Sequence, residues 1–322
     1  MILLFGATGY VGGAFATELA TRNLPFTAIS RSQLDYTRFE PLLSFLRETR
    51  PEFVINAAGY TGKPNVDACE LAKADTLNGN TLLPTVIAHA CAATGIPWGH
   101  VSSGCIYSGA KICGSDGVCR VEPDLALPGL RRLVDSQPES VHGFTEEDEP
   151  NFTFRKPPCS FYSGTKALGE EAIRGVGRNF IWRLRIPFDN QDSPRNYLSK
   201  IQRYSRVYDN VNSVSHLGDY VRACVDLWSI RAPFGIYNVT NPGFVTAKDV
   251  VHRLKAALKL DRTFEFWESD EQFYRVAANT PRSNCVMDSS KLLAAGVKMR
   301  PVWEAIDDSL RTWVPQKSTP GH

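Results

Sequence analysis

Tyr162 and Lys166 stand four residues apart near the start of a predicted helix over 161–174, so one helix face presents a phenol and an ammonium to the same cleft. That pair suits proton transfer beside a carbonyl. The ammonium can hold a ribose and lower the phenol's pKa by its charge, which makes the tyrosine a usable proton donor near neutral pH. The chain has 11 tyrosines, so the spacing alone proves little and its context must carry the argument. Ser102-Ser103-Gly104-Cys105 follows an apolar run ending at Val101. A hydroxyl at Ser103 can bond the same substrate oxygen as the phenol, which gives Ser103, Tyr162 and Lys166 as a catalytic triad at the carboxyl edge of a sheet.

The chain opens on an apolar run that leads into Gly6-Ala7-Thr8-Gly9-Tyr10-Val11-Gly12. The first glycine permits a tight turn, the second lets backbone approach a pyrophosphate, and the third lets helix and strand pack closely. The helix N-terminus then offers N–H groups and partial positive charge to phosphates. At the end of the second apolar run, Ser30-Arg31 stands where a carboxylate would select NAD, and arginine there suits the 2′-phosphate of NADPH. Asn56-Ala57-Ala58-Gly59 ends the third run with small residues, as a backbone lying close to a dinucleotide requires.

These residues need a scaffold, and the alternation of short apolar runs with helical stretches supplies one. Runs at 1–5, 26–30, 53–56, 98–101 and 180–184 predict strands, and helices are predicted over 11–22, 39–50, 66–74, 81–94, 161–174, 217–229 and 247–258. The pattern predicts an α/β fold, a doubly wound parallel sheet of Rossmann type with a smaller C-terminal substrate-binding lobe. The expected division is a cofactor domain over 1–186 and a mainly substrate-binding lobe over 187–322, with 213–242 returning to the first. Residues 110–150 lack periodicity and read as an insertion over the cleft rather than as core.

Composition narrows the function classes. The 322 residues are 43% hydrophobic and 22% charged, with a formal net charge of +2, which gives no electrostatic case for nucleic acid or an anionic membrane. The N-terminal apolar run is too short for a signal peptide and no segment approaches the length of a membrane span, so a cytoplasmic protein with a small anionic partner is expected. The 8 cysteines include no Cys-x-x-Cys pair and no histidine at zinc spacing, so reduced thiols and no metal are expected, with Cys113 and Cys119 incidental. His89 and His216 read as structural.

The chain resembles the extended short-chain dehydrogenase/reductases and, within them, the bifunctional NDP-4-keto-6-deoxyhexose 3,5-epimerase/4-reductases of the plant UDP-rhamnose pathway. The resemblance runs through 56–70, Ser103-Gly104-Cys105-Ile106, 149–152, 161–166, Arg183-Leu184-Arg185-Ile186-Pro187, 194–201, Asn241-Pro242-Gly243 and Pro281-Arg282-Ser283-Asn284. Its most specific parts are Thr61-Gly62-Lys63-Pro64-Asn65-Val66-Asp67 and the Pro194-Arg195-Asn196 segment ending near Lys200. The resemblance implies that Cys105 and Lys200 exchange protons at C3 and C5 of the sugar. It also implies that Pro187 meets the nicotinamide amide and that Lys63, Asn65, Gly104, Asn196, Arg282 and Asn284 contact the nucleotide sugar. A homodimer is implied too. The longer stretch from 107 to about 139 departs from the family. A 4-ketoreductase of the dTDP-4-dehydrorhamnose type without epimerase activity, and a non-catalytic NADP-binding regulatory subunit, remain as rivals.

Overall fold

Every residue of β1 (Ile2–Phe5) is buried, and its side chains alternate between two cores. Ile2 and Leu4 face one apolar cluster with Phe15 and Leu19 of α1 (Tyr10–Thr21), while Leu3 and Phe5 face another with Leu42 and Leu46 of α2 (Phe39–Thr49). A strand with helices on both faces must be apolar throughout, and this one is. In the computed structural model, which describes residues 1–114 and 117–316, β1 lies inside a six-stranded sheet.

The other strands are β2 (Phe26–Ile29), β3 (Phe53–Asn56), β4 (Trp98–Ser103), β8 (Asn179–Leu184) and β9 (Gly235–Asn238). Their order is β9-β8-β4-β3-β1-β2 and every pairing is parallel. The chain steps outward from β1 to β2 and then returns to β3 on the other side. The crevice between the ends of β1 and β3 is therefore the switch point, where open α/β sheets bind ligands. α3 (Leu83–Thr94) and α5 (Phe161–Ile173) join α2 on one face; α7 (Leu217–Ser229) joins α1 on the other. A separate apolar cluster unites Leu198 and Ile201 of α6 (Tyr197–Arg203), Val250 and Leu254 of α8 (Ala247–Leu258), and Ile306 and Leu310 of α9 (Val302–Arg311).

Three expectations need correction. The helices expected over 66–74 and 81–94 are instead Ala68–Leu71, Lys73–Leu77, a π-turn at Asn78–Leu82 and α3. The cause is Asn80, whose side chain accepts from the Tyr60 N–H and donates to the Tyr60 carbonyl, both at 2.9 Å, clipping the turn to the strand-end loop.

The expected insertion is not merely a cover. It forms β5 (Ala110–Cys113), β6 (Cys119–Glu122), α4 (Pro128–Ser136) and β7 (Val141–His142), and Leu125, Val134 and Val141 are buried with Val211 and Val286. Nor are all thiols reduced. Cys113 and Cys119 face each other across the antiparallel β5–β6 pair, 3.9 Å apart at Cα, and form a disulfide. The expected insertion includes Ser115 and Asp116, and the expected lobe includes 317–322; these lie outside the described residues. Among the described residues no helix is long and apolar enough to cross a membrane, and no cluster of His, Cys, Asp and Glu is arranged to hold a metal.

Candidate active site

The turn after β1 is built from backbone. Gly6 has φ +79°, and a Cβ there would sit 2.6 Å from the Ala58 nitrogen in the turn that follows β3. A Cβ on Gly12 would lie 2.0 Å from the Gly6 carbonyl oxygen, so α1 can approach the loop only with glycine at that position. No side chain caps α1 and no acidic residue occupies its first turn, which leaves its free N–H groups open to an anion. Thr8 and Gly9 are exposed at the turn, and Val11 packs into the sheet core. Tyr10 donates its hydroxyl to Asp189 at 2.9 Å. Ser30 and Arg31 are exposed just beyond β2, and among the described residues no carboxylate pairs with Arg31.

Asn56 plays a structural part. It is fully buried, accepts from the Ala58 N–H at 3.1 Å and lies 3.1 Å from the His100 ring, so it shapes the Ala57-Ala58 turn. Gly59 is exposed, and a Cβ there would stand 3.6 Å from the Lys166 ammonium.

β4 ends at Ser103, whose oxygen accepts from the Cys105 N–H at 3.2 Å and starts the 3-10 turn Gly104–Ile106. α5 opens on Ser160, which accepts from the Ser163 N–H at 3.1 Å and so fixes the first turn carrying Tyr162. One turn later Lys166 is buried and donates to the Val101 carbonyl at 3.2 Å, tying the helix to β4. Burial pulls this ammonium down to about 8, against the opposing pull of Cys105 and Glu170.

The phenol behaves differently from expectation. Burial lifts Tyr162 above its ordinary value, and the groups that pull it back are a hydrogen bond with Ser103 and the charge of Arg185. The expected lowering by Lys166 is therefore corrected: desolvation wins, and the cation acting on the phenol belongs to Arg185.

Two further features were missed in the sequence. Glu170, one turn beyond Lys166, accepts the Ser102 hydroxyl at 2.5 Å and a fork of bonds from Arg183, the closest at 2.8 Å, in an ion pair that is 2% and 0% exposed. Its signal was the four-residue spacing from Lys166 together with an arginine inside an apolar strand. Arg185, just after β8, is buried with its guanidinium on Asn212 and on the Ser283 carbonyl. It stood in the sequence as part of a matching run and carried no other mark.

Cys105 is 7% exposed. Burial pushes its thiol up, while Ser103, Ser163, Arg185 and Lys166 pull it down. Gly104 before it has no room for a side chain, because a Cβ would lie 2.1 Å from the Met287 sulfur. Lys200 is half-buried on α6, and burial and the neighbouring Arg195 lower its ammonium. Arg195 also donates to the Gly62 carbonyl at 3.1 Å, which draws α6 to the loop bearing the exposed Lys63 and Asn65. Asn65 itself accepts from the Asp67 N–H at 2.8 Å.

Two expected ligand contacts are already engaged by the protein. Asn196 is fully buried; it caps α6 by accepting from the Leu198 N–H at 2.9 Å and donates to Asp189 and Gln191, so its side chain has nothing left for a sugar. Arg282 forks onto Asp67 with both contacts at 2.6 Å, so it braces the 60–67 loop rather than offering a free fork to a diphosphate. Asn284 and Arg282 line a cavity of about 640 Å³ with Ser108, Asp124, Tyr208 and Tyr274. Pro187 pairs in parallel with Ser215, and Phe188 with His216, two residues beyond the buried Arg185.

A doubly wound parallel sheet with a glycine-lined crevice at its switch point makes this a Rossmann-type nucleotide-binding fold. The description "RmlD substrate binding domain" matches residues 1–313, and the chain belongs to that family. It is 32% identical over 320 residues to a trifunctional UDP-glucose 4,6-dehydratase/UDP-4-keto-6-deoxy-D-glucose 3,5-epimerase/UDP-4-keto-L-rhamnose-reductase of Arabidopsis thaliana, covering 98% of this chain and 42% of that protein. The chain thus spans less than half the length of that relative. It is also 31% identical to a bifunctional dTDP-4-dehydrorhamnose 3,5-epimerase/dTDP-4-dehydrorhamnose reductase of the same plant, covering 90% of this chain and 85% of that one. In fold it is similar to a UDP-rhamnose synthase from Acanthamoeba polyphaga mimivirus (TM-score 0.80, 21% identity, 97% and 98% covered). It is likewise similar to a dTDP-4-dehydrorhamnose reductase from Bacillus anthracis in complex with NADP (TM-score 0.73, 18% identity, 97% of each covered).

Proposed function

We propose that this protein is an NADPH-dependent reductase of NDP-4-keto-6-deoxyhexoses that also epimerises C3 and C5, yielding an NDP-6-deoxy-L-sugar of the rhamnose type. The observation that carries the reading is the meeting of Ser103, Tyr162 and Lys166 at the carboxyl edge of β4, beside the switch-point crevice. The bifunctional and trifunctional plant relatives support the substrate class.

The crevice fits a dinucleotide: the contacts a Cβ at Gly6 or Gly12 would make mark a cradle that only bare backbone can line, and α1 presents uncapped N–H groups to it. When bound, NADPH supplies the hydride for C4. Arg31 would hold its 2′-phosphate and Lys166 its nicotinamide ribose. The chain's own residues do the rest. Tyr162, protonated at neutral pH because burial lifts it, gives its proton to the C4 oxygen. Ser103 hydrogen-bonds that same oxygen. For epimerisation, Cys105 removes a proton beside the ketone and Lys200 returns one from the other face, with the enolate oxygen held by Tyr162 and Ser103. We assign residues 1–186 and 213–242 to cofactor binding and the remainder mainly to the sugar nucleotide.

A reductase without epimerase activity is the second reading, favoured by the burial that raises the Cys105 thiol. Incubation of a UDP- or dTDP-4-keto-6-deoxyglucose with NADPH in deuterated water separates the two. NADPH oxidation with deuterium at C3 and C5 of the product is expected. Oxidation only of a ketone already epimerised, with no label at either carbon, leaves the reductase alone, and no oxidation with any 4-keto sugar nucleotide removes both.

A further inference from the structure

Arg185 is an unusual residue to find beside a reaction centre that already has two lysines. It is 5% exposed, its Nε has no acceptor among the described residues, and no carboxylate pairs with it there. A buried arginine without a carboxylate is costly, and such a charge persists where something else uses it. The backbone beside it is also constrained: Ile186, a β-branched residue, has φ +36°, a region such residues seldom enter. The guanidinium is held in one place by Asn212 and by the Ser283 carbonyl.

That place adjoins the turn bearing Cys105. A Cβ on Gly104 would lie 3.5 Å from the Arg185 Cδ, and the Gly104 carbonyl accepts from the Cys285 thiol at 3.4 Å. The Cys285 N–H in turn bonds the Asn212 oxygen that receives Arg185, at 3.1 Å. Asn212 also donates to Asn284 at 3.0 Å, and Asn284 lines the 640 Å³ cavity. One polar chain thus runs from the cavity wall through Asn284, Asn212 and Arg185 to the Cys105 turn.

We propose that Arg185 is a positioning residue for proton exchange at C3 and C5: its guanidinium, fixed by Asn212 and Ser283, is the standing positive charge against which Cys105 works as a base. The groups facing Cys105 are Ser103 from its own turn, Tyr162, Ser163 and Lys166 from α5, Arg185 from the end of β8, and the thiols of Cys69, Cys159 and Cys285. Arg185 and Lys166 are the two cations among these groups; Lys166 also donates to the Val101 carbonyl, whereas Arg185 is anchored beside the Gly104–Cys105 turn itself. In the exchange, Cys105 as thiolate takes the proton, the C–H electron pair passes into the enolate, and a proton returns from Lys200; no electrons leave the sugar.

The inference rests on the epimerase reading for its reaction but not for its thiol measurement. Alkylation of Cys105 by iodoacetamide, followed peptide by peptide against pH in the full chain, is compared for wild type, Arg185→Lys and Arg185→Met. The midpoint is expected to rise by about one pH unit in Arg185→Met and by less in Arg185→Lys. The ratio of deuterium exchange to ketone reduction falls about tenfold in Arg185→Met and is partly kept in Arg185→Lys. If Arg185→Met does not fold, Asn284→Ala serves as the second variant and shifts the midpoint upward by less. Equal midpoints in wild type and folded variants overturn the role of Arg185 even if exchange is active. A shifted midpoint with no exchange in wild type overturns the epimerase reading instead.

Discussion

The two walls of the site are built on different physics. The sheet wall, with Ser103, Tyr162 and Lys166, stands on strands buried on both faces and on the Glu170–Arg183 pair, which water does not reach. The other wall, with the 60–67 loop, α6 and 281–284, is held by partly buried polar contacts such as Arg282 on Asp67 and Arg195 on Gly62. The difference teaches which errors each can tolerate. A reacting group must be held to a fraction of an ångström by packing that cannot relax, whereas a ligand wall can be assembled from contacts that adjust to what enters.

The sharpest way to break the contrast is to remove the phenol alone. Tyr162→Phe deletes one oxygen from the rigid wall and is expected to slow ketone reduction by about 10²- to 10⁴-fold, while thermal unfolding barely moves. A loss below about tenfold, read as NADPH oxidation with saturating ketone, would take the proton donor away from Tyr162. Next comes the foundation beneath it. Glu170→Gln strands a buried arginine and is expected to cost about 3–5 kcal/mol in urea unfolding, because the uncompensated charge has no water to turn to. A cost near that of a surface pair would show that the pair carries no such strain.

How much of this was visible in the residues follows the same division. The sheet, its glycine turn and the Tyr162–Lys166 spacing were legible because they depend on short-range periodicity: alternation along β1, and one helical turn in α5. Arg282 and Asp67 meet across more than two hundred residues, and Arg185 reaches Asn212 and Ser283 across 27 and 98 residues, so no local pattern announces them. The Cys113–Cys119 bridge was hidden because its partners are adjacent only once the β5–β6 hairpin sets its register. Asn196 and Arg282 look like ligand contacts in the sequence because polarity in a loop looks the same whether water, substrate or backbone will satisfy it.

A pH profile sharpens the comparison from the cation side. Lys166 is lowered to about 8 by burial, whereas in the unfolded chain it would titrate near the ordinary lysine value of about 10.4. The folded state binds fewer protons than the unfolded state between those values. Its stability penalty is therefore fully present below about pH 8 and is relieved as pH rises toward the unfolded value. Activity is expected to run the opposite way: kcat/KM for reduction should fall as pH passes about 8, because the ammonium proposed to hold the ribose loses its charge. Lys166→Arg should move that fall upward out of the measured range, and an unmoved alkaline limb would assign it to another group.

The smallest effect is expected on the adjustable wall. Asp67→Asn removes one charge from a pair whose side chains are 16% and 19% exposed, so water reaches it only in part and stability should fall by about 1–2 kcal/mol, less than for Glu170→Gln. The loop bearing Lys63 and Asn65 loses its brace, and the released guanidinium is free to turn toward an anion in the cavity. KM for the sugar nucleotide should consequently change by about three- to tenfold while kcat stays within about twofold, since nothing on the sheet wall has moved. A fall in kcat as large as that of Tyr162→Phe would mean that the two walls are one mechanical unit. The partly buried pair would then belong to the chemistry as much as the fully buried one does.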